Sequence, residues 1–129
     1  GSFTTVDATG AITGASFTTT GAATVDDLTV NGLVNEQQFA LTAAATVDID
    51  PANGTIQYIT LDQNTTFTES LADGDYLTLL INDGTAYTLT WPTITWVGGA
   101  APALDTTKYT IIELFQVNGV VYGALVGAA

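Results

Sequence analysis

The feature that most constrains the fold is a pair of alternating apolar segments in "KYTIIELFQVNGVVYGALVG", joined by Asn118-Gly119. Asn-Gly is the pair most typical of a two-residue type I′ turn between antiparallel strands. Such a turn predicts that Val117 lies opposite Val120 and that Phe115 lies opposite Tyr122. This segment therefore predicts a β-hairpin near the end of the chain.

Both faces of this predicted hairpin are apolar. A small domain with a sheet that is apolar on both faces indicates burial against another subunit. We therefore predict that one face contributes to a subunit interface, through Ile112, Leu114, Val121 and Leu125. Glu113 breaks the pattern, because it lies opposite Ala124 and the sequence shows nothing that compensates its charge.

The chain from residue 42 onwards has the pattern of an all-β domain. "TAAATVDID" and "TIQYITL" alternate as half-buried strands on either side of a turn at Pro51–Gly54. "DYLTLLINDGTAYTLTW" predicts a second hairpin. A three-residue loop at 82–84 sets Leu79 opposite Tyr87 and gathers the apolar residues on one face, whereas a two-residue loop mixes the faces. We predict the longer loop and a β-sandwich head, jelly-roll-like, over residues 42–129.

The first 35 residues have a different composition, rich in Thr, Ala and Gly. "SFTT" occurs at residues 2–5 and again at 16–19, and glycines separate short β-prone pieces such as "ATV" and "LTV". Repeats mark units that cannot bury their own apolar side chains. We predict an intertwined β-repeat stalk shared by three chains, with a flexible linker as the alternative. Its interface residues are Phe3, Phe17, Val25, Leu28, Val30 and Leu33, and residues 36–41 form a connector to the head.

Charge excludes several classes of partner. The 129 residues carry thirteen acids and one base, for a net charge of -12. A single cation, Lys108, gives no sequence-independent grip on a phosphate backbone or on an anionic membrane. We therefore expect neither nucleic acid nor membrane as a partner.

Candidate catalytic groups are restricted to carboxylates, because the chain has no Cys and no His. Three close acid pairs could in principle act on a sugar: Asp26/Asp27, Asp48/Asp50 and Asp73/Asp75. Each lies beside turn-forming residues, where Asp bonds its own backbone, and solvated turn acids are the preferred interpretation. "DIDPANG" lacks the ligand spacing and the distal Glu of an EF-hand loop. We predict no enzyme activity, no cofactor and no bound metal.

Aromatic residues provide the candidate ligand site. "TWPTITWVGG" contains Trp91 and Trp96, and Tyr87 precedes it. Aromatic faces on a β-scaffold stack on sugar rings, and buried core aromatics are the alternative. Trp96 precedes the loop "GGAAPA", so we predict that it is the more exposed of the two tryptophans.

Residues 74–127 resemble the C-terminal segments of bacteriophage tail-fibre and other virion structural proteins, notably those of marine phages. The resemblance rests on "DYLTLLI", "TWP", "ITWVGGAAP", "IIELF" and "VYGALVG". "TTTGAATVDDLTVNG" is similar to the repeats that precede fibre heads. The resemblance implies a homotrimeric fibre within the virion, made in the host cytoplasm, with itself and other virion proteins as partners. Attachment to a host-surface polysaccharide is the expected function, and a purely structural decoration or filament subunit is the alternative.

Overall fold

The computed structural model describes residues 18–82 and 87–129. The chain divides into two units, residues 1–33 and 34–129. In the first unit, residues 18–33 form no strand or helix, and Val25, Leu28, Val30 and Leu33 are exposed. The predicted strand pieces at 23–25 and 28–30 are therefore not strands in a single chain, where the described residues provide no ladder partner. Phe3 and Phe17 lie outside the described residues, and sharing of this segment among three chains stays a prediction.

The second unit is nearly all β, which confirms the predicted all-β class. Short strands follow one another with turns between them, and one 3₁₀ turn occurs at Pro51–Asn53. The strands are β1 (Gln38–Ala40), β2 (Thr46–Ile49), β3 (Ile56–Thr60), β4 (Thr65–Glu69), β5 (Tyr76–Asn82), β6 (Leu89–Thr90), β7 (Thr95–Trp96), β8 (Thr110–Val117) and β9 (Val120–Ala128).

The first six strands wind as a parallel coil, alternating between two sheets. β1, β3 and β5 pair in parallel in one sheet, and β2, β4 and β6 pair in parallel in the other. The first sheet is extended by β8, β9 and β7 to the order β1-β3-β5-β8-β9-β7. The 3₁₀ turn links β2 to β3, and thus carries the chain from one sheet to the other. Asp50 caps this turn by accepting a hydrogen bond from the Ala52 N–H at 2.9 Å.

The predicted final hairpin is confirmed in its turn and its register. β8 and β9 pair antiparallel, with Val117 opposite Val120 and Phe115 opposite Tyr122. Asn118 and Gly119 both have positive φ, 51° and 70°, as a type I′ turn requires. The register shifts near the far end of the ladder, between Ile111 and Ile112.

The jelly-roll-like arrangement and the second hairpin were wrong. A jelly roll is built from antiparallel strands, whereas the coil strands are parallel. Leu79 lies between Gln57 on β3 and Ile112 on β8, which occupy the two positions beside it in the sheet. Tyr87 is therefore not its partner. β6 belongs to the other sheet. The predicted connector at 36–41 contains β1, which is an edge strand of the head.

The core draws on both sheets through the inward side chains of alternating strands. β2, β3, β4 and β5 each show the alternation of buried and more exposed residues expected of a strand with one buried face. The fully buried apolar residues include Ile49, Ile59, Phe67, Leu77, Leu79, Ile81, Ile112 and Leu114. Three predicted interface residues, Ile112, Leu114 and Val121, thus belong to the chain's own core, and a second subunit could not reach them. Leu125 is exposed.

Candidate functional site

The predicted aromatic site is part of the protein's packing. Trp91 and Trp96 are both half-buried and pack against the core cluster, and so does Tyr87. The two indoles meet edge to face with centroids 5.0 Å apart, and Trp91 also lies 5.4 Å from the ring of Phe67. Their faces therefore contact other side chains of the protein.

Trp96 differs from its predicted setting. It lies in the short strand β7, which pairs in parallel with β9 and places Trp96 beside Gly123. The loop that follows is exposed over residues 97–101, as predicted. The loop residues thus remain available to a ligand, whereas the indole itself is held against the sheet.

The structure gives most acids of the head a structural role. Asp48 accepts hydrogen bonds from the hydroxyls of Thr68 and Ser70, at 2.6 and 2.8 Å. Asp75 accepts from the Ala72 N–H at 2.8 Å, which closes the turn before β5. Asp73 reaches further along the chain and accepts from the Gly119 N–H at 2.8 Å. Asp75 therefore bonds its own turn as predicted, whereas Asp48 lies in β2 and bonds side chains on and just after β4, and Asp73 bonds a distant backbone amide.

Glu113, unexplained by the sequence, has a partner across the sheet. Thr78 lies opposite it on β5 and donates its hydroxyl to Glu113 Oε1 at 2.9 Å. Within the described residues, no group of three or more His, Cys, Asp or Glu side chains is arranged to hold a metal ion.

A groove missed by the sequence analysis lies at the end of the coil where β5 begins. It has a volume of about 470 Å³ and is lined by Asp50, Pro51, Ala52, Thr55, Ser70, Gly74, Asp75 and Tyr76. A second hollow of about 320 Å³ adjoins it, shares Pro51, Ala52, Thr55 and Tyr76, and adds Glu36, Gln37 and Gly54. Tyr76 therefore borders both hollows.

Tyr76 is the exposed aromatic residue of this groove, with 46% of its surface accessible. It opens β5 with its side chain on the outer side of the sheet, since Leu77, Leu79 and Ile81 point inward. The alternation of "DYLTLLI" contains that signal, but nothing in the sequence predicts the parallel stacking that places β5 beside the Pro51–Asn53 turn.

The polar groups of the groove are mostly hydrogen-bond acceptors. Asp50 and Asp75 each use one carboxylate oxygen on a backbone N–H, at 2.9 and 2.8 Å. Their second oxygens make no hydrogen bond to the described residues. Glu36 accepts a hydrogen bond from the Thr55 hydroxyl at the neighbouring hollow. The lining contains no Lys or Arg, so the groove suits a ligand that offers donors and carries no negative charge.

No family model, no curated protein and no solved structure matches this chain. Among the described residues, no helix is long and apolar enough to cross a membrane.

Proposed function

We propose that this chain is a virion fibre protein whose head attaches the particle to a neutral glycan on the host surface. The observation that carries the proposal is the exposed ring of Tyr76 beside an open groove with free carboxylate oxygens. It is joined by the resemblance of residues 74–127 to phage tail-fibre proteins. Within this proposal the protein acts without catalysis, cofactor or metal.

The chemistry of a sugar fits this groove. The C–H face of a pyranose packs on an aromatic ring, while its hydroxyls donate to carboxylate oxygens such as those of Asp50 and Asp75. The groove is open, which suits the end of a surface glycan better than a small molecule that must be enclosed. Because its charged residues are all acids, sialylated and uronic polysaccharides would be repelled.

The proposed assembly is a homotrimer in the virion, made in the host cytoplasm, with a stalk over residues 1–35. The exposed Val25, Leu28, Val30 and Leu33 would then be covered by the other two chains, together with Phe3 and Phe17. Ordering a residue costs about 1–2 kcal/mol of backbone entropy, which burial among three chains would offset. Light scattering should give about three times the 13.3 kDa chain mass. A monomer at micromolar concentration would contradict the assembly.

Glycan binding can be tested directly with a glycan array and the Tyr76→Ala variant. We expect the native chain to bind neutral glycans and the variant to lose at least about tenfold in affinity, since a stacking aromatic is lost. Tyr76→Phe is the matched control, because it keeps the ring that stacks on the sugar and removes only the hydroxyl. Equal binding by both variants, or preference for acidic glycans, would refute the proposed site.

A second candidate function is a purely structural decoration or filament subunit that binds other virion proteins. The exposed apolar residues on the outside of the six-stranded sheet favour it. No glycan signal on the array, combined with tight association to another particle component, would support this alternative.

A further inference from the structure

The outward side chains of β3, β5, β8 and β9 form one surface, here called the outer face; it excludes Tyr76, which begins β5 at the border with the groove. Their register fixes which residues are neighbours. Tyr58, Leu80 and Ile111 lie in one row across three strands. Tyr58 is exposed, whereas Leu80 and Ile111 are half-buried. This row is apolar from end to end apart from the tyrosine hydroxyl.

The hairpin supplies the rest of the apolar surface. Phe115 and Tyr122 lie opposite each other and stack, with centroids 5.4 Å apart and planes 16° from parallel. Val117 and Val120 form the next pair towards the turn. Phe115, Val117 and Val120 are 37%, 48% and 39% exposed. Large apolar side chains therefore remain accessible on two neighbouring strands.

The outer face has almost no charge, although the chain carries thirteen acids. Glu113 is the one charged residue among the outward positions of these four strands. It lies between the Tyr58 row and the Phe115–Tyr122 pair, hydrogen-bonded to Thr78. The acids of the described residues other than Glu113 therefore lie off the outward positions of these four strands.

We infer that the outer face is the surface through which heads of this chain pack on one another. The outward positions of β2 and β4 also carry a single charge, Asp48, but their other side chains are threonines, so of the two sheet surfaces only the outer face offers large apolar side chains to a second copy. On the outer face each copy meets a nearly neutral apolar surface. A parallel sheet is also usually covered on both faces, and within the described residues of the head only the inner face of β3 and β5 is covered. The occupant is a second copy of this chain.

The area of the outer face determines how tightly two heads are expected to associate. Four strands spaced about 4.8 Å apart, with about 3.3 Å per residue along β8, give a flat area of roughly 500 Å². Specific interfaces bury about 800 Å² per partner, and weak ones less. We therefore expect dissociation in the micromolar range for the head contact. The inference concerns a contact between two heads, which is separate from the three-chain stalk of the proposed homotrimer and does not depend on glycan binding.

Glu113 provides a specific test of whether the outer faces pack on one another. Packing of the outer faces brings its carboxylate into an interface next to the carboxylate of another copy. The charge should therefore weaken association. Glu113→Gln removes the charge but keeps a side-chain oxygen that can accept the Thr78 hydroxyl. We expect this substitution to tighten association several-fold, whereas a residue with only a folding role in the monomer would not affect association.

Sedimentation velocity of the full chain, from 1 to 100 µM, tests the inference. Val117→Glu and Val120→Glu should each weaken association at least about tenfold, because they place a charge in the contact. Both residues are exposed, so the fold should tolerate the changes, and circular dichroism checks it. Thr66→Glu is the matched control, since Thr66 is exposed on β4 of the other sheet.

Four results would overturn the inference. One is a native chain that stays monomeric throughout this range. Another is an oligomer that Val117→Glu and Val120→Glu leave unchanged but Leu28→Asp dissociates, which would assign association to the N-terminal segment. The third is a Glu113→Gln variant that associates no more tightly than the native chain. The last is weakening by Thr66→Glu as strong as that by Val120→Glu. Loss of glycan binding in Tyr76→Ala with unchanged association would bear on the groove alone.

Discussion

The indole of Trp96 lies so close to the backbone of Gly123 that a Cβ atom there would come within 2.7 Å of ring carbon Cζ3. The same Cβ would lie 2.9 Å from Cγ2 of Ile94. The parallel pairing of β7 with β9 creates this contact, which needs a residue without a side chain. Gly123 is therefore required by packing, and its backbone conformation is not the reason.

Gly123→Ala should destabilise the head by about 1–3 kcal/mol, since the added methyl group overpacks the site. Chemical denaturation followed by tryptophan fluorescence measures the change. Gly32→Ala is the control, because a Cβ at Gly32 meets nothing within 4 Å. Equal stability of the two variants would show that Trp96 moves aside without cost.

Trp96→Ala should destabilise the protein by about 3 kcal/mol, because the indole packs on Trp91 and on β9. The sequence predicts that Trp96 is the more exposed of the two tryptophans, and an exposed ring would contribute less to stability. Val97→Ala, one residue along and exposed, should change stability by less than about 0.5 kcal/mol. A melting temperature within a few degrees of the native value for Trp96→Ala would restore the exposed-ring hypothesis.

Asp73→Ala should loosen the β8–β9 turn. The Asp73 carboxylate accepts the Gly119 N–H at 2.8 Å and a longer hydrogen bond, 3.4 Å, from the Gln116 side chain. Loss of a hydrogen bond of this kind costs about 1 kcal/mol. Faster amide hydrogen exchange at Gly119 is the direct measurement. Asp62→Ala should leave that amide unchanged, since among the described residues Asp62 accepts a hydrogen bond only from the adjacent Gln63 side chain.

The pKa of the Asp105 carboxyl should lie below its ordinary value of 3.8. Hydrogen bonds from the Thr107 N–H, at 2.7 Å, and from the Thr107 hydroxyl lower the pKa of this exposed carboxyl, and Lys108 adds to the effect. A lowered pKa in the folded state stabilises the fold above the unfolded pKa, and the contribution is lost as pH falls through the folded pKa. Carboxyl ¹³C NMR should show the low midpoint, and Thr107→Val should raise it. An unshifted midpoint in both proteins would contradict the prediction.

The final hairpin could be predicted from the sequence because its determinants are local. Asn118-Gly119 fixes the turn, the turn fixes the register, and the alternation on each side names the strands. The sequence of the hairpin does not show which of its two apolar faces the rest of the chain buries, because that depends on how the whole sheet packs. The structure places Ile112 and Leu114 in the core and leaves Phe115 and Val117 outside.

The parallel coil could not be predicted in this way. Period-two alternation identifies β2, β3 and β5 as strands but does not say which strands pair. Parallel neighbours are not consecutive in the chain, because a strand of the other sheet lies between them. The segment "DYLTLLINDGTAYTLTW" was therefore assigned to a hairpin, whereas β5 pairs with β3 and β8. The Tyr76 groove depends on the same non-local stacking. Most of the predicted 82–84 loop lies outside the described residues.

The antiparallel hairpin also determines where the coil stops. β8 occupies the side of β5 on which the next parallel turn would stack, and it runs in the opposite direction. Beyond the hairpin the sheet ends in β7, a strand of two residues that offers little ladder to an incoming chain. A coil with a free final turn could add turns from other molecules and grow into a filament without limit. At this edge of the six-stranded sheet, the hairpin therefore blocks the addition of further parallel turns.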